Sequence, residues 1–294
     1  MTAATAAPGM ARQLLGTSRP LSWINTAYPF AAAYLLAGGQ ITATLVLGTV
    51  FFLVPYNLLM YGINDVFDHE SDLRNPRKGG VEGIVLDRRW HTATAWAAGL
   101  LAAPFVLALI AWGSIASTLI LTVVLAAVVA YSVPGLRLKE RPVLDSVTSS
   151  THFVGPAAVG LALTGAPWGA TALAALSAFF LWGMASHAFG AVQDIVPDRE
   201  AGIGSIATVL GAHRTVLLSS GLYAGAGAVM LTTGWPAALA SLLVIPYVVS
   251  IWRYRGLTDE HSAQAHPGWR RFLGMNLVAG FLLTQLLIWI LLRG

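Results

Sequence analysis

Residues 92–133 read TATAWAAGLLAAPFVLALIAWGSIASTLILTVVLAAVVAYSV and contain no Asp, Glu, Lys or Arg. The run is about twice the ~20 residues an apolar helix needs to cross a bilayer. Its one stretch of turn character is Trp112-Gly113-Ser114. It therefore reads as two spans, Thr92–Trp112 and Ser114–Val133, joined by a tight uncharged link. Outward from this pair, seven more apolar runs repeat the pattern: Leu21–Leu36, Thr42–Ile63, Val143–Leu163, Ala170–Val192, Thr215–Leu231, Pro236–Trp252 and Phe272–Leu292. The chain is 56% hydrophobic and only 10% charged, where a soluble domain carries roughly a quarter charged residues. The expectation is an all-α polytopic membrane protein with nine transmembrane helices. Residues 1–18 lack the basic and apolar regions of a cleaved signal and read as a flexible tail ahead of a single domain, 19–294. With no cysteine in the chain, disulfides, thiolate metal sites and a Cys nucleophile are excluded.

The links alternate in character. AGGQ, WGS, TGAPWGA and TTGWP are short and uncharged. The N-terminal segment and links 64–91, 134–142, 193–214 and 253–271 hold all of the 17 Lys and Arg residues except Arg293, and the acids cluster in the same links. The positive-inside rule places those links and the N-terminus in the cytoplasm and, with an odd span count, Gly294 outside. Asp68 and Asp72 recur 126 residues later as Asp194 and Asp198, each pair following an even-numbered span. Two four-helix halves, about 19–140 and 141–258, plus a ninth helix at about 270–292, would produce this spacing. Two-fold repeats also occur in membrane folds for reasons unrelated to catalysis.

The first acidic motif is Asn64-Asp65-Val66-Phe67-Asp68-His69-Glu70-Ser71-Asp72. At about 100° per residue on one continuous helix, Asn64, Asp68, Asp72 and Asp65 point to about 0°, 40°, 80° and 100°. Three carboxylates on one face repel unless cations sit among them, so Asp65 is expected to hold metal alongside Asn64, Asp68 and Asp72. The second motif, Gln193-Asp194-Ile195-Val196-Pro197-Asp198-Arg199-Glu200, supplies two more carboxylates four apart. Pro197 breaks a continuous helix, so the span is expected to end near Val196 with Asp198 on a separate turn. Mg²⁺ takes one or two carboxylates and completes its shell with water and phosphate oxygens. Two such acid sets, with Arg77, Lys78, Lys139 and Arg199 to neutralise phosphate oxygens, suit a diphosphate held through metal ions. Ordinary solvated loop charges are the blander alternative, and a transporter or scaffold that binds cations without chemistry is the alternative from another class.

Asn64-x-x-x-Asp68-x-x-x-Asp72 together with Asp194-x-x-x-Asp198-x-x-x-Gly202 resembles the UbiA superfamily of intramembrane prenyltransferases. The likeness covers essentially the whole chain, including Arg19-Pro20 before the first span and Tyr131-Ser132-x-Pro134 after the fourth. It implies a helical bundle around a central cavity, with Mg²⁺ and a prenyl diphosphate at the cytoplasmic end. Carried over, Asn64, Asp68, Asp72, Asp194 and Asp198 would hold metal, and Arg77, Lys78, Lys139 and Tyr131 would contact diphosphate. The stretches RPLSWINTAYPFAAAYLL, MYGINDVFDHESDLRNPRKGGVEGIVL and LWGMASHAFGAVQDIVPDREAGIGSIATVLG are similar to the lycopene elongases of C50-carotenoid pathways. Gly79-Gly80-Val81-Glu82-Gly83 stands where quinone-making relatives usually carry an Arg-Pro pair. The implied reaction ionises dimethylallyl diphosphate to an allylic cation, which an end double bond of lycopene attacks. The resulting tertiary cation then loses a proton, and two additions carry C40 through C45 to C50. A quinone or aromatic acceptor is the alternative within the same superfamily. The implied partners are the diphosphate, lycopene or another apolar acceptor, and the lipid bilayer; no nucleic acid is expected.

His152 and His187 lie within spans, where polar side chains are expensive and often line a cavity. His187 is seven residues before Asp194, two turns along roughly the same face, and reads either as a proton acceptor or as a helix–helix hydrogen bond. The other five histidines read as loop residues with no zinc spacing. Trp23, Tyr28, Trp182 and Phe189 lie deeper than an interfacial belt requires and read as lipid-facing packing, with cation stabilisation as the alternative role.

Overall fold

The computed structural model describes residues 9–74 and 83–293, and all its longer elements are helices. In chain order they are α1 (Met10–Thr17), α2 (Ile24–Leu36), α3 (Ala43–Leu53), α4 (Pro55–Phe67), α5 (His69–Arg74), α6 (His91–Trp112) and α7 (Ile115–Ser132). Then come α8 (Leu144–Leu163), α9 (Ala170–Val192), α10 (Ile195–Glu200), α11 (Ile206–Leu231), α12 (Ile245–Trp252) and α13 (His266–Arg293). Short 3₁₀ turns at Ala237–Val244 and Asp259–Ala265 lead into α12 and α13.

Among the described residues, six helical segments are long and apolar enough to cross a membrane: Ala43–Phe67, Arg88–Trp112, Ile115–Ser132, Ala170–Val192, Ile206–Leu231 and Asp259–Arg293. The other three expected spans fall short for separate reasons. α2 has only 13 residues. α8 has 20 but opens with Asp145 and carries the polar run Thr148–His152. The eighth is assembled from a 3₁₀ stretch followed by the short helix α12.

The chain divides into two compact units, 1–136 with 159–164, and 137–158 with 165–294. In the first unit, Phe30, Phe51, Phe52 and Tyr56 are fully buried. The Phe51 and Phe52 rings meet edge-on at 4.8 Å, and Phe30 and Phe52 lie 5.1 Å apart. The break between α3 and α4 falls at Val54-Pro55, since proline has no N–H to continue the ladder. The buried Asn57 repairs it: its Nδ2 donates to the carbonyls of Phe52 and Leu53 at 2.9 and 3.1 Å, and to Thr26 Oγ1 at 2.7 Å. Thr26 Oγ1 donates in turn to the Phe52 carbonyl at 2.6 Å. In a bilayer these groups have no water to turn to, so the kink and its side-chain partners form one device.

Where a flexible tail was expected up to residue 18, residues 10–17 form α1. Gln13 and Thr17 on it are buried, and Gln13 Oε1 accepts the Asp87 N–H at 3.2 Å. A short amphipathic segment thus finds a surface that composition alone does not reveal.

In the second unit, Phe189, Tyr223, Tyr247 and Phe272 are buried. Trp182 lies 5.6 Å from both Tyr247 and Phe272. The lipid-facing expectation for Phe189 and Trp182 is therefore corrected. Both pack inside, because α9 turns one aromatic face onto α11, α12 and α13. Ser186 Oγ and Tyr223 Oη share a hydrogen bond of 2.9 Å, and Tyr247 Oη donates to Asn276 at 2.9 Å.

Candidate functional site

Each acidic motif sits at a helix break, and the two breaks share one backbone form. α4 ends at Phe67, and Asp68 then takes φ −100°, ψ 4° before α5 begins. α9 ends at Val192, and Asp194 takes φ −102°, ψ 1° before α10 begins. In both, the second acid's N–H donates to the first acid's carbonyl: Asp72 to Asp68 at 2.8 Å and Asp198 to Asp194 at 2.9 Å. The 126-residue repeat thus extends from sequence to backbone. It also corrects two expectations. The first motif is not one continuous helix, so its computed face does not hold past Asp68. The span before the second motif, α9, ends four residues before Val196, and Pro197 lies in the first turn of α10, where its missing N–H would have had no partner. Gly202, at φ 69°, closes α10 with the Ile203 N–H donating to the Asp198 carbonyl at 2.8 Å. That left-handed position favours glycine.

Within the first unit, Asn64 and Asp68 are half-buried and Asp72 is buried. Ser132 Oγ, at the end of α7, donates to Asn64 Oδ1 at 3.0 Å, which orients the amide. Asp65 is 0% exposed, and its Oδ1 accepts from Arg19 Nη2 at 3.2 Å. Arg19 itself takes φ 50°, and its guanidinium lies 4.1 Å from the centre of the Tyr61 ring. A Cβ on Gly83 would stand 2.9 Å from Arg19 Nε. Burial alone would lower the Arg19 pKa, but Asp65 and, more weakly, Tyr61 and Asp72 hold it above its ordinary value. Tyr131 is half-buried near the end of α7. Arg77 and Lys78, with the glycine-rich loop up to Glu82, lie outside the described residues.

Within the second unit, Asp194 and Asp198 are half-buried. Gln193 Oε1 and His266 Nδ1 share a hydrogen bond of 2.7 Å, which ties the break to the start of α13. Arg199, expected on diphosphate, is held within the protein. Its Nε and Nη2 donate to the Thr208 carbonyl at 3.0 and 2.6 Å, and its Nη1 donates to Asp259 at 2.7 Å. The other Asp259 oxygen accepts the Ala212 N–H at 2.7 Å. Lys139 is half-buried in the short turn Leu138–Glu140. His152 is buried, and His187 is partly exposed.

Among the described residues, no three His, Cys, Asp or Glu side chains stand close enough to hold a metal ion by themselves. The donors present are nevertheless all oxygens, with Asn64, Asp68 and Asp72 in one unit and Asp194 and Asp198 in the other. Few protein oxygens, with the rest from phosphate and water, is the ligand pattern of Mg²⁺.

Sequence reasoning missed three residues. Arg19 appeared only as part of a motif before the first span, and Asp259 was one acid in a long polar link. Asp145 had a usable signal, since it is the single acid inside an expected span.

Comparison with known proteins follows from this geometry. Residues 26–287 match the UbiA prenyltransferase family. The chain is 52% identical over 283 residues to a C(50) beta-cyclic carotenoids biosynthesis protein, LbtBC, of Dietzia sp., covering 96% of this chain and 66% of that one. It is 50% identical over 277 residues to a lycopene elongase/hydratase of Corynebacterium glutamicum, covering 94% of this chain and 96% of that one. A UbiA homolog from Archaeoglobus fulgidus bound to DMAPP and Mg²⁺ superposes with a TM-score of 0.66 at 18% identity, over 91% of this chain and 98% of that one.

Proposed function

The chain belongs to the UbiA prenyltransferase family, and from that premise we propose that it transfers C5 prenyl groups from dimethylallyl diphosphate to the ends of lycopene. The observation that carries the diphosphate chemistry is the repeated acid pair, with Asp68 and Asp194 in one backbone form. The acceptor is supported by the 50% identity to a lycopene elongase/hydratase along nearly both whole chains.

In this reading Asn64, Asp68, Asp72, Asp194 and Asp198 hold Mg²⁺, which when bound offsets the charge developing on the departing diphosphate. Tyr131, Lys139, Arg77 and Lys78 bind its remaining oxygens. Ser132 keeps the Asn64 carbonyl oxygen in place. Arg199, already held by Thr208 and Asp259, positions α10 and so Asp198. The apolar walls of the spans exclude water, which would otherwise capture the allylic cation. We read nine spans, adding α2, α8 and residues 237–252 to the six long ones, with the charged links and N-terminus cytoplasmic and the C-terminus outside.

Membranes containing the protein, given dimethylallyl diphosphate and lycopene, are expected to form C45 and C50 carotenoids. Chelation of divalent metal should stop the reaction and added Mg²⁺ restore it. Asp68→Ala and Asp194→Ala should each lower turnover by more than about 100-fold while leaving folded protein in the membrane. Full activity in either variant would remove the metal role. Pyrophosphate release with a quinone or aromatic acceptor, and none with lycopene, would replace the acceptor.

A further inference from the structure

Asp145 lies in the first turn of α8 and is 0% exposed. Its Oδ1 accepts the Ser146 N–H at 2.7 Å, and its Oδ2 accepts the N–H of Ile206, the first residue of α11, at 2.8 Å. These bonds explain how the carboxylate joins two helix starts. They leave acceptor capacity over, since a carboxylate has roughly four acceptor sites. The same Oδ2 stands 3.8 Å from Nε2 of His187 on α9. Neither ring nitrogen of His187 has a hydrogen-bond partner among the described residues.

The two span histidines also differ in access. His152 is 3% exposed, whereas the His187 side chain is 22% exposed. α9 runs unbroken from His187 to Val192, so His187 keeps its place two turns before Asp194. A fixed carboxylate beside a partly open imidazole, inside an apolar span, places negative charge where a proton arriving on the ring would meet it.

We propose that His187 is the proton acceptor of the prenyl transfer and that Asp145 is its positioning residue, an assignment that rests on the reaction proposed above. Attack by the terminal double bond of the acceptor forms the new C–C bond to the C5 unit and leaves a tertiary cation. A C–H bond on a neighbouring carbon then breaks, and its electron pair forms the new C=C bond. The proton passes to Nδ1 of His187, the nitrogen that does not face Asp145. Where water reaches the cation first, its oxygen bonds the carbon and its surplus proton passes to the same nitrogen, giving a tertiary alcohol. His187 thus stands at the branch between deprotonation and hydration of the elongated cation.

The test measures carotenoid alkene, carotenoid alcohol and pyrophosphate in one assay, with dimethylallyl diphosphate and lycopene as substrates. His187→Gln leaves both backbone bonds to Asp145 intact, and Asp145→Asn keeps the side-chain shape. In each, alkene formed per pyrophosphate released is expected to fall by about 100-fold, with the balance appearing as alcohol or as hydrolysed donor. An unchanged ratio in His187→Gln would overturn the proposal. A fall in His187→Gln with none in a folded Asp145→Asn would overturn the part assigned to Asp145. Loss of pyrophosphate release in both variants would place the pair in diphosphate ionisation instead, and so overturn it as well. Failure of the unaltered protein to release pyrophosphate with lycopene would overturn the underlying reaction, which the other outcomes leave standing.

Discussion

Arg19 and Asp65 show how a single residue conformation can decide which acid of a motif is available for other work. Arg19 adopts a left-handed backbone, φ 50°, which costs an ordinary residue roughly 1–2 kcal/mol. Its guanidinium then reaches the buried Asp65 at 3.2 Å and lies against Tyr61. Removing one member of a buried ion pair costs about 3–5 kcal/mol, while replacing both with apolar residues is often neutral. Arg19→Met should therefore lower the thermal unfolding temperature of detergent-solubilised protein, and Arg19→Met/Asp65→Leu should recover most of the loss. No recovery in the double variant would show that Asp65 answers to something other than Arg19. At this scale the sequence showed which residues carry charge but not how each backbone bends. Asn64, Asp68 and Asp72 were legible from their spacing. The turn at Asp68 was not, because φ near −100° with ψ near 0° is a sparsely allowed region that many residue types adopt only under tertiary constraint.

The elements that carry the motifs are aimed by breaks that need local partners. α3 and α4 looked like one span, and they do run as one apolar segment, but Pro55 divides them and Asn57 supplies the missing donors. A buried carbonyl left without its donor costs about 1–3 kcal/mol. Asn57→Leu keeps the side-chain size and strands the Leu53 carbonyl, while the Phe52 carbonyl keeps Thr26 as its donor. It should lower stability by about 1–3 kcal/mol and weaken prenyl transfer, because α4 ends in the first motif. Measurement of unfolding temperature and turnover on the same sample checks this, and an unshifted variant would mean that the kink is held by packing alone. Apolar periodicity located most of the long helices to within a few residues. It ended α9 at Val192, as observed, whereas the argument from Pro197 placed the break too late, because the chain turns at Asp194 and proline sits harmlessly in the next first turn. α1 was missed because eight residues with modest apolarity give no signal until Gln13 finds the Asp87 backbone.

At the scale of the whole molecule, the number of crossings follows from length as well as from composition. α2 rises about 20 Å over its residues, well short of the ~30 Å hydrocarbon core. α8 rises about 30 Å but is polar in its first half. Residues 237–252 gain length from their 3₁₀ stretch, which rises about 2 Å per residue, and so reach about 28 Å. The alternation of charged and uncharged links was legible throughout, and with the positive-inside rule it supports the proposal that all three cross. If only the six long segments crossed, links 134–142 and 164–169 would share one side, as would the N-terminal segment with 37–41 and residues 232–236 with 253–258. The chain has no cysteine, so single cysteines report sidedness without background. Arg12, Leu136 and Gly256 are exposed, as are Gln40, Trp168 and Thr232. With nine crossings, Arg12→Cys, Leu136→Cys and Gly256→Cys should react with an impermeant maleimide only in inverted vesicles, and Gln40→Cys, Trp168→Cys and Thr232→Cys only in intact cells. Each pair isolates one of the three remaining spans: Arg12 with Gln40 for α2, Leu136 with Trp168 for α8, and Thr232 with Gly256 for residues 237–252. Labelling of both members of a pair from the same side would remove that span from the count. For α8 it would also bear on the chemistry, because Asp145, 3.8 Å from His187, would then no longer lie inside a segment that crosses the bilayer.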